Sequence, residues 1–472
     1  MEASAGSLNR SKMIGWLITI LIGVFLMMIP ITEVFTMQIK LYLVITICGI
    51  LMLAFELMEM LVVVLLIPVA YYALKLAPGA VVFAGWTQST VWMFFGALLL
   101  GDILERYGLL KRIAYFCMTK FGGSLVGLSM GMLLAGIVLA YTAGGAGSVL
   151  FIVFAYGLCK SFGVKKGGIT AAYIMYIAHV CGSTAGVYLT YDPMFNAGIT
   201  LAQSVVPDAA FNVTFFDYAL HNLPNVLLMF LMVFIPMKVF KVDKYLASKE
   251  QMQKLYQELG KMSIEEKKCV AMLAVMFALF LTQKITNFDV ATCFLLTAII
   301  CFLPGIKLGD QEIVKKTNYT MLFVVGGTLS IGTVANSIGA GALLAQLLGQ
   351  VMGSGANGQV MMTYILGYLG DFILTPMASV TILAAPVAQL AAQAGYYPLP
   401  VIYAAIMGAH QTMFPYENAM YAFLFSFGMM RMKDFVKLFT LRAVIGFVYI
   451  ALVTIPYWHW LGLFDTLVKA PF

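Results

Sequence analysis

Apolar runs of roughly the twenty residues a helix needs to cross a bilayer alternate with short polar stretches along the whole chain. The first runs from Ile14 to Pro30. Two more follow, Leu41 to Phe55 and Met60 to Leu76, with Glu56 and Glu59 marking the turn between them. A fourth, Thr87 to Leu104, ends in Glu105-Arg106-Tyr107-Gly108-Leu109-Leu110-Lys111-Arg112, which reads as an interfacial amphipathic segment. The pattern then predicts spans from Ile169 to Leu201, Leu223 to Phe240, Cys269 to Leu281, Val290 to Leu303, Thr320 to Ser337, Pro400 to Phe427 and Phe435 to Leu463. Ser263 three residues before Glu266, and Ser248 three before Gln251, are capping-box patterns, so a short surface helix is expected to end near Gly260.

Two further apolar runs do not read as simple spans. Leu125 to Cys159 is interrupted by Leu-Ala-Tyr-Thr-Ala-Gly-Gly-Ala-Gly-Ser at Leu139 to Ser148, and Val360 to Ala392 by Leu374-Thr-Pro-Met-Ala-Ser-Val-Thr381. The fifth span carries interruptions at Gly182-Ser-Thr-Ala-Gly186 and Asp192-Pro193, and the tenth one around Phe414-Pro-Tyr-Glu-Asn418. Broken backbone at membrane depth is tolerated only where it is buried in protein or lines a watered cavity, and paired breaks in two halves point to a transporter's binding site.

Composition agrees with this pattern. Residues are 62% hydrophobic and 10% charged, with mean hydropathy +0.94, against about 25% charged in soluble domains. The formal charge of +7 calls for no nucleic acid. Placing the N-terminus in the cytoplasm and treating each interrupted run as a hairpin that returns to its own side puts 24 of the 28 basic residues on the cytoplasmic face. Arg442 is counted there with Arg431, Lys433 and Lys437. The first hairpin then enters from the cytoplasm and the second from outside, and the C-terminus lies outside. No apolar stretch with a cleavage site precedes the first span, so the N-terminus is expected to be retained. The seven cysteines are scattered in apolar runs and read as packing residues. No phosphate loop, metal spacing or nucleophile triad appears, which argues against an enzyme.

The halves repeat. Thr90-Val-Trp-Met-Phe-Phe-Gly96 with Gly101 and Gly108 matches Thr320-Met-Leu-Phe-Val-Val-Gly326 with Gly332 and Gly339, and a hairpin and a broken span follow in each. An odd number of crossings between equivalent points makes the repeats inverted. The fold class expected is an all-α polytopic membrane protein, with about 11 transmembrane helices plus two opposed re-entrant hairpins in inverted repeats. Its units are a first scaffold over 1–122, a first transport unit over 123–203, a linker and second scaffold over 204–338, a second transport unit over 339–430, and a closing span over 431–472.

Hairpin-tip amides at half-helix ends form a weakly positive cradle for an anion, and unwound carbonyls offer ligands to a cation. Such a cradle needs no buried arginine, and none is expected at depth. Thr142, Gly144, Gly145 and Gly147 in the first tip, and Thr375, Ala378, Ser379 and Thr381 in the second, are the leading candidates. The competing reading is that small residues only let helices approach closely. Ionisable residues at depth are functional candidates by default, which brings in His179, Asp192, Asp371, His410 and Glu417. His179 and His410, each after an alanine, hold matching positions and suit proton coupling. A neutral histidine bonded to a carbonyl is an equal alternative, as is a helix-capping role for Asp371 and Glu417.

At this point the chain resembles the divalent anion:sodium symporter family over nearly its whole length. The order of spans, the opposed hairpins, the broken fifth and tenth spans and the closing pattern Met430-Arg-Met-Lys-Asp-Phe-Val-Lys437 carry the resemblance. It implies a homodimer whose protomers move a transport unit against a scaffold in an elevator-like shift, carrying dicarboxylates, citrate or sulfate, usually with sodium. Family tips carry Ser-Asn-Thr, where this chain has Thr142-Ala143-Gly144 and Pro376-Met377-Ala378, so substrate and coupling ion stay open. Asn196 and Asn418 match the family's asparagine in each broken span and are expected to bridge freed backbone groups. The substrate-binding candidates are therefore Thr142, Ala143, Gly144, Thr184, Thr375, Met377, Ala378, Ser379, Asn196 and Asn418. The cation-coupling candidates are Gly145, Gly147, Gly182, Ser183, Thr381, Pro415, His179, His410, Asp371 and Glu417.

The function expected is secondary transport of a small organic anion across the plasma membrane, with lipid and a second copy as partners and no cofactor beyond a coupling sodium ion. A cation/proton antiporter or a zwitterion carrier is the alternative, favoured by acidic residues and histidines without a basic partner at depth. A channel or a membrane-embedded enzyme ranks below both.

Overall fold

The computed structural model describes residues 3–55, 57–121, 124–143, 147–161, 163–209, 211–242, 249–317, 319–353, 355–371, 376–414 and 419–465. Everything regular among them is helical. The first half runs α1 (Ala3–Met28), α2 (Met37–Ala54), α3 (Met60–Ala73), α4 (Ser89–Arg106), α5 (Leu109–Phe121), α6 (Leu125–Ala143), α7 (Gly147–Ser161), α8 (Ile169–His179), α9 (Ala185–Leu189) and α10 (Pro193–Val205). A connecting region holds α11 (Phe215–His221), α12 (Asn225–Val239), α13 (Lys249–Gln257), α14 (Ile264–Leu281), α15 (Val290–Ile300) and α16 (Gln311–Lys316). The second half runs α17 (Tyr319–Ser337), α18 (Ala340–Met352), α19 (Ala356–Asp371), α20 (Pro376–Gln393), α21 (Leu399–Ala409), α22 (Ala419–Ser426), α23 (Met432–Tyr449) and α24 (Ile455–Trp460).

Polar residues set where these helices start. Thr36, Asp192, Asp289 and Asp310 each accept from a backbone N–H in the first turn, which satisfies donors that a helix start leaves unpaired. Ser263 and Glu266 make both bonds of the expected capping box, and so do Thr214 and Asp217. Gly260 has φ +64°, just beyond α13, while Ser248 lies outside the described residues.

By length and hydropathy, Ile169–Val205 and Met432–Trp460 are long and apolar enough to cross a membrane. Phe215–His221 and Asn225–Val239, bent by 57° at their junction, make a third if they count as one span. Shorter apolar stretches of 10–17 residues lie within other helices, among them Lys12–Met28 in α1 and Leu322–Ser337 in α17. Large apolar side chains face outward on α1 and at the chain's end, with Leu17, Phe25, Leu452 and Trp460 all exposed. A lipid-facing surface has this character.

Several elements of the two halves match in length. α4 and α17 have 18 and 19 residues, α5 and α18 both have 13, and α8 and α21 both have 11. Gly101 and Gly332, Gly108 and Gly339, Gly136 and Gly367, and His179 and His410 are all separated by the same number of positions. The helix α18 was not read from the sequence; the correspondence accounts for it, as the partner of the amphipathic α5.

One reading of the fifth span is corrected. Gly182 to Gly186 does not break the helix: Val180–Thr184 form a π-helical turn that leads straight into α9. The non-helical stretch is Thr190 to Asp192, where Asp192 caps α10. The close approach at this turn is made by Gly136 of α6. A Cβ on Gly136 would stand 2.2 Å from the Cys181 carbonyl oxygen, so α6 lies backbone to backbone against the π-turn. In the second half, a Cβ on Gly408 would stand 2.1 Å from the Tyr364 carbonyl oxygen, joining α21 to α19 in the same manner. Residues Thr170–His179 and Leu399–Ala409 are buried throughout, which places α8 and α21 at the centre of the protein.

Candidate functional site

The centre of the molecule holds a side chain that charge counting placed at its edge. Arg442, on α23, is fully buried. Its Nη1 donates to Thr184 Oγ1 at 3.3 Å, and its Nη2 donates to the His410 carbonyl at 2.5 Å and to Tyr421 Oη at 3.2 Å. The guanidinium carbon lies 5.0 Å from the Phe439 ring centroid and 5.8 Å from that of Tyr421, within cation–π range. Among the described residues no carboxylate pairs with it, and its Nε has no partner. The expectation that no arginine sits at depth is therefore overturned, and so is that of histidines without a basic partner there. A buried charge costs several kcal/mol unless it is compensated, so this position has to be maintained by what surrounds it.

Both halves supply those surroundings. His179, the last residue of α8, is 1% exposed, and its ring centroid is 4.1 Å from that of Tyr421 and 5.7 Å from that of Phe439. Its Nδ1 has no partner among the described residues. Thr184 closes the π-turn. His410 closes α21, donating from Nδ1 to the Ile406 carbonyl at 3.2 Å while its own carbonyl receives Arg442. Gln411 Nε2 donates to Tyr188 Oη, and Gln411 Oε1 is buried without a partner among the described residues. Asp371, the last residue of α19, is 1% exposed and accepts from Thr412 Oγ1 at 3.0 Å. The guanidinium thus meets the π-turn that follows α8 and the end of α21, and the carbonyl end of a helix favours a cation.

The other candidates fall in three groups. Gly144, Gly145, Thr375, Pro415, Glu417 and Asn418 lie outside the described residues; Thr142, Ala143 and Gly147 sit in helix ends that flank the first of these gaps, with their side chains not described. In the second tip, Ala378, Ser379 and Thr381 are buried and Met377 is half-buried; Ser379 Oγ donates to the Gly367 carbonyl at 3.4 Å and Thr381 Oγ1 to the Ala378 carbonyl at 3.0 Å. These hydroxyls bond to carbonyls of α19 and α20. Gly182 is buried in the π-turn and Ser183 is half-buried beside it. Asn196 stands apart from Arg442. Its Nδ2 donates to Ser89 Oγ at 2.9 Å and Thr90 Oγ1 at 3.0 Å, and its Oδ1 accepts from Tyr191 at 2.7 Å, so it ties α10 to α4 through hydroxyls and not through freed backbone groups. Asp192 likewise has a capping task, accepting from the Phe195 amide at 2.8 Å.

Sequence reasoning missed Arg442 because it assigned every basic residue to a loop. A signal was present: five positions past Lys437, in the apolar stretch Leu438 to Tyr449, the arginine lies more than a turn deeper than the last surface lysine.

Known proteins resemble the chain throughout. The family described as sodium:sulfate symporter transmembrane region matches residues 10–464. A membrane protein of Cupriavidus necator is 24% identical over 64% of this chain and 60% of its own length. The chain thus spans about three-fifths of that relative. An L-tartrate/succinate antiporter of Escherichia coli is 21% identical over 80% of each chain. Among solved structures, the YdaH transporter of Alcanivorax borkumensis shares the fold with a TM-score of 0.56, at 15% identity over 82% of this chain and 87% of that one. With a match that runs almost end to end, this chain belongs to the sodium:sulfate symporter family, the divalent anion:sodium symporters, which are integral membrane transporters and not enzymes.

Proposed function

We propose that the protein is a secondary transporter of a small organic anion, a dicarboxylate or a related acid. The observation that carries this reading is Arg442: a permanent positive charge, fully buried, that no carboxylate pairs with among the described residues. Such a charge makes the interior attractive to an anion and hostile to a free cation. Its partners come from both halves, from the π-turn that follows α8 and from the end of α21. The relationship to an L-tartrate/succinate antiporter supports the dicarboxylate class.

In this reading the sequence interruptions at Leu139 to Ser148 and at Leu374 to Thr381 mark two re-entrant hairpins that enter from opposite faces. The corresponding halves are inverted in the bilayer, and each hairpin moves with its broken helix as one transport unit of an elevator. The protein sits in the plasma membrane as a homodimer, with its N-terminus in the cytoplasm and its C-terminus outside. The test is saturable uptake of labelled succinate, tartrate, citrate and sulfate into proteoliposomes that hold the purified chain. Uptake of at least one, lost in Arg442→Ala, is the expected result. Failure of all four to move would count against the reading.

The alternative, a cation/proton antiporter or a zwitterion carrier, draws on the buried carboxylate of Asp371 beside the second gap. Proton flux driven by a cation gradient, with no transported anion present and lost in Asp371→Asn, would favour it.

A further inference from the structure

We propose that the groove between α1 and α2 binds one acyl chain of an anionic phospholipid, whose phosphate is held by Lys40. The site depends on the chain lying in a membrane and not on what the protein carries.

A hollow of about 520 Å³ runs between the two helices. That is within the span of small-molecule sites, about 300–1,000 Å³. Its α1 wall reaches from Trp16 to Met28 and its α2 wall from Val44 to Met52. At 1.5 Å per residue the α1 wall is about 18 Å long, a little more than the ~15 Å of hydrocarbon in one leaflet. Gly23 keeps the floor low, since a Cβ there would stand 3.0 Å from Cys48 Sγ. Ile20, Val24 and Met28 are exposed along the rim, so the hollow opens toward lipid. The hydroxyl of Thr19 and the thiol of Cys48 are spent on main-chain carbonyls, those of Gly15 at 2.8 Å and Thr19 at 3.6 Å. What the hollow offers a guest is mostly hydrocarbon surface, which suits an acyl chain.

Its mouth carries a charge. Lys40, Val44, Cys48 and Met52 follow one another at intervals of four and so share one face of α2. The lysine therefore continues the wall one turn beyond Val44. Its Nζ donates to the Met27 carbonyl at 2.8 Å, and Met27 lines the same hollow. Lys40 is 7% exposed, and among the described residues no carboxylate pairs with it. An ammonium has three donors, and the carbonyl takes one. A nearly buried cation without a counter-ion is costly. A phosphate diester supplies both the charge and the acceptors, and its acyl chain has the hollow to fill. A lipid whose only charge is that phosphate, such as phosphatidylglycerol, matches a lone ammonium better than a zwitterionic one.

The experiment is native mass spectrometry of the purified full chain, released from detergent with phosphatidylglycerol and phosphatidylcholine of identical acyl chains in equal amounts. The wild type should retain one phosphatidylglycerol per chain, several-fold in excess of phosphatidylcholine. Lys40→Gln should lose that preference and Lys40→Arg should keep it. Val24→Trp fills the hollow from its exposed rim and leaves the lysine in place, so it should retain neither lipid. Melting gives the second readout: phosphatidylglycerol should raise the wild-type midpoint by about 3 °C or more, and inorganic phosphate should not.

Equal retention of the two lipids by the wild type overturns the proposal, and this comparison decides even if a variant cannot be purified. A Lys40→Gln protein that still prefers phosphatidylglycerol overturns it too, since the lysine then only closes the carbonyl end of α1. An equal rise in melting with inorganic phosphate would mean a free anion and no lipid. Conversion of a dimer to a monomer by Val24→Trp would mean that a second copy of the chain fills the hollow, and the lipid assignment falls.

Discussion

Gly108 and Gly339 adopt the same left-handed backbone, with φ +75° and +78°, and each stands one residue ahead of a helix of 13 residues. The same corner is thus built twice, once in each half. An L side chain at such a φ is strained whatever the space around it.

Among the described residues nothing lies within 4 Å of a Cβ placed on either glycine, so an alanine there costs backbone strain. Gly108→Ala and Gly339→Ala should each destabilise by about 1 kcal/mol or more. The double variant should show the sum, since the sites are independent. Melting curves of the three proteins check this, and a neutral or stabilising alanine at either site would refute the shared corner.

Gly408 and Gly157 should behave in opposite ways. A Cβ on Gly408 would lie 2.1 Å from the Tyr364 carbonyl oxygen, a main-chain atom that cannot swing aside. Gly408→Ala should cost at least about 1–3 kcal/mol through overpacking and should reduce the yield of monodisperse protein. Gly157 lies inside α7, and among the described residues no atom comes within 4 Å of a Cβ there, so Gly157→Ala should be neutral or stabilising by up to about 1 kcal/mol. Equal yields and equal melting for the pair would contradict the backbone contact.

Thr184→Val removes a hydroxyl acceptor from a buried guanidinium and keeps the shape. A hydrogen bond to a charged group contributes about 1.5–3 kcal/mol, so the melting temperature should fall, and Thr184→Ser should restore it. If valine melts like the wild type, the 3.3 Å contact from Arg442 contributes nothing.

Outside the membrane-spanning part, Arg112 donates from Nε to Glu266 Oε1 at 2.6 Å and from Nη2 to Oε2 at 3.1 Å, and it also reaches the carbonyls of Leu259 and Gly260. The side chains are 11% and 7% exposed. This hydrogen bond is the main reason the Glu266 carboxyl is held below the usual carboxylate range. A lowered folded-state pKa contributes stability that is complete above the unfolded value of about 4.3 and is lost as pH falls through the folded value. Arg112→Ala should therefore melt lower at neutral pH and show a flatter acid limb. A variant with the same acid dependence as the wild type would rule the pairing out as its source.

Much of this fold could be read in the sequence where a residue type is forced by geometry. Gly108 and Gly339 stood out because a positive φ excludes most other residues, and Ser263 with Glu266 because a capping box needs that spacing. The second interruption of the fifth span was legible in Asp192-Pro193, a cap followed by the residue that favours a first helical position. The first was misread, because Gly182-Ser-Thr-Ala-Gly186 has the composition of a break although the chain continues there through a π-helical turn, against which Gly136 packs. Asn196 was picked out by type, yet its partners Ser89 and Thr90 are more than a hundred positions away, and local sequence holds no record of them. Arg442 escaped for the same reason: its depth follows from how α23 packs against α8, which no count of charges contains.

The glycine contacts restrict which surfaces can slip. Where Gly136 rests on Cys181 and Gly408 on Tyr364, peptide planes touch with no side chains between them, and such a seam locks like a keyed joint. Gly96 is fixed in the same way, a Cβ there lying 2.7 Å from the Leu295 amide nitrogen, which fastens α4 to α15. At Gly332 the nearest atom is a methyl of Leu201, the yielding tip of a side chain. If the proposed transport units glide, the contact between α17 and α10 is an interface of the yielding kind, and a cross-link across it should stop transport while one across the keyed joints should not.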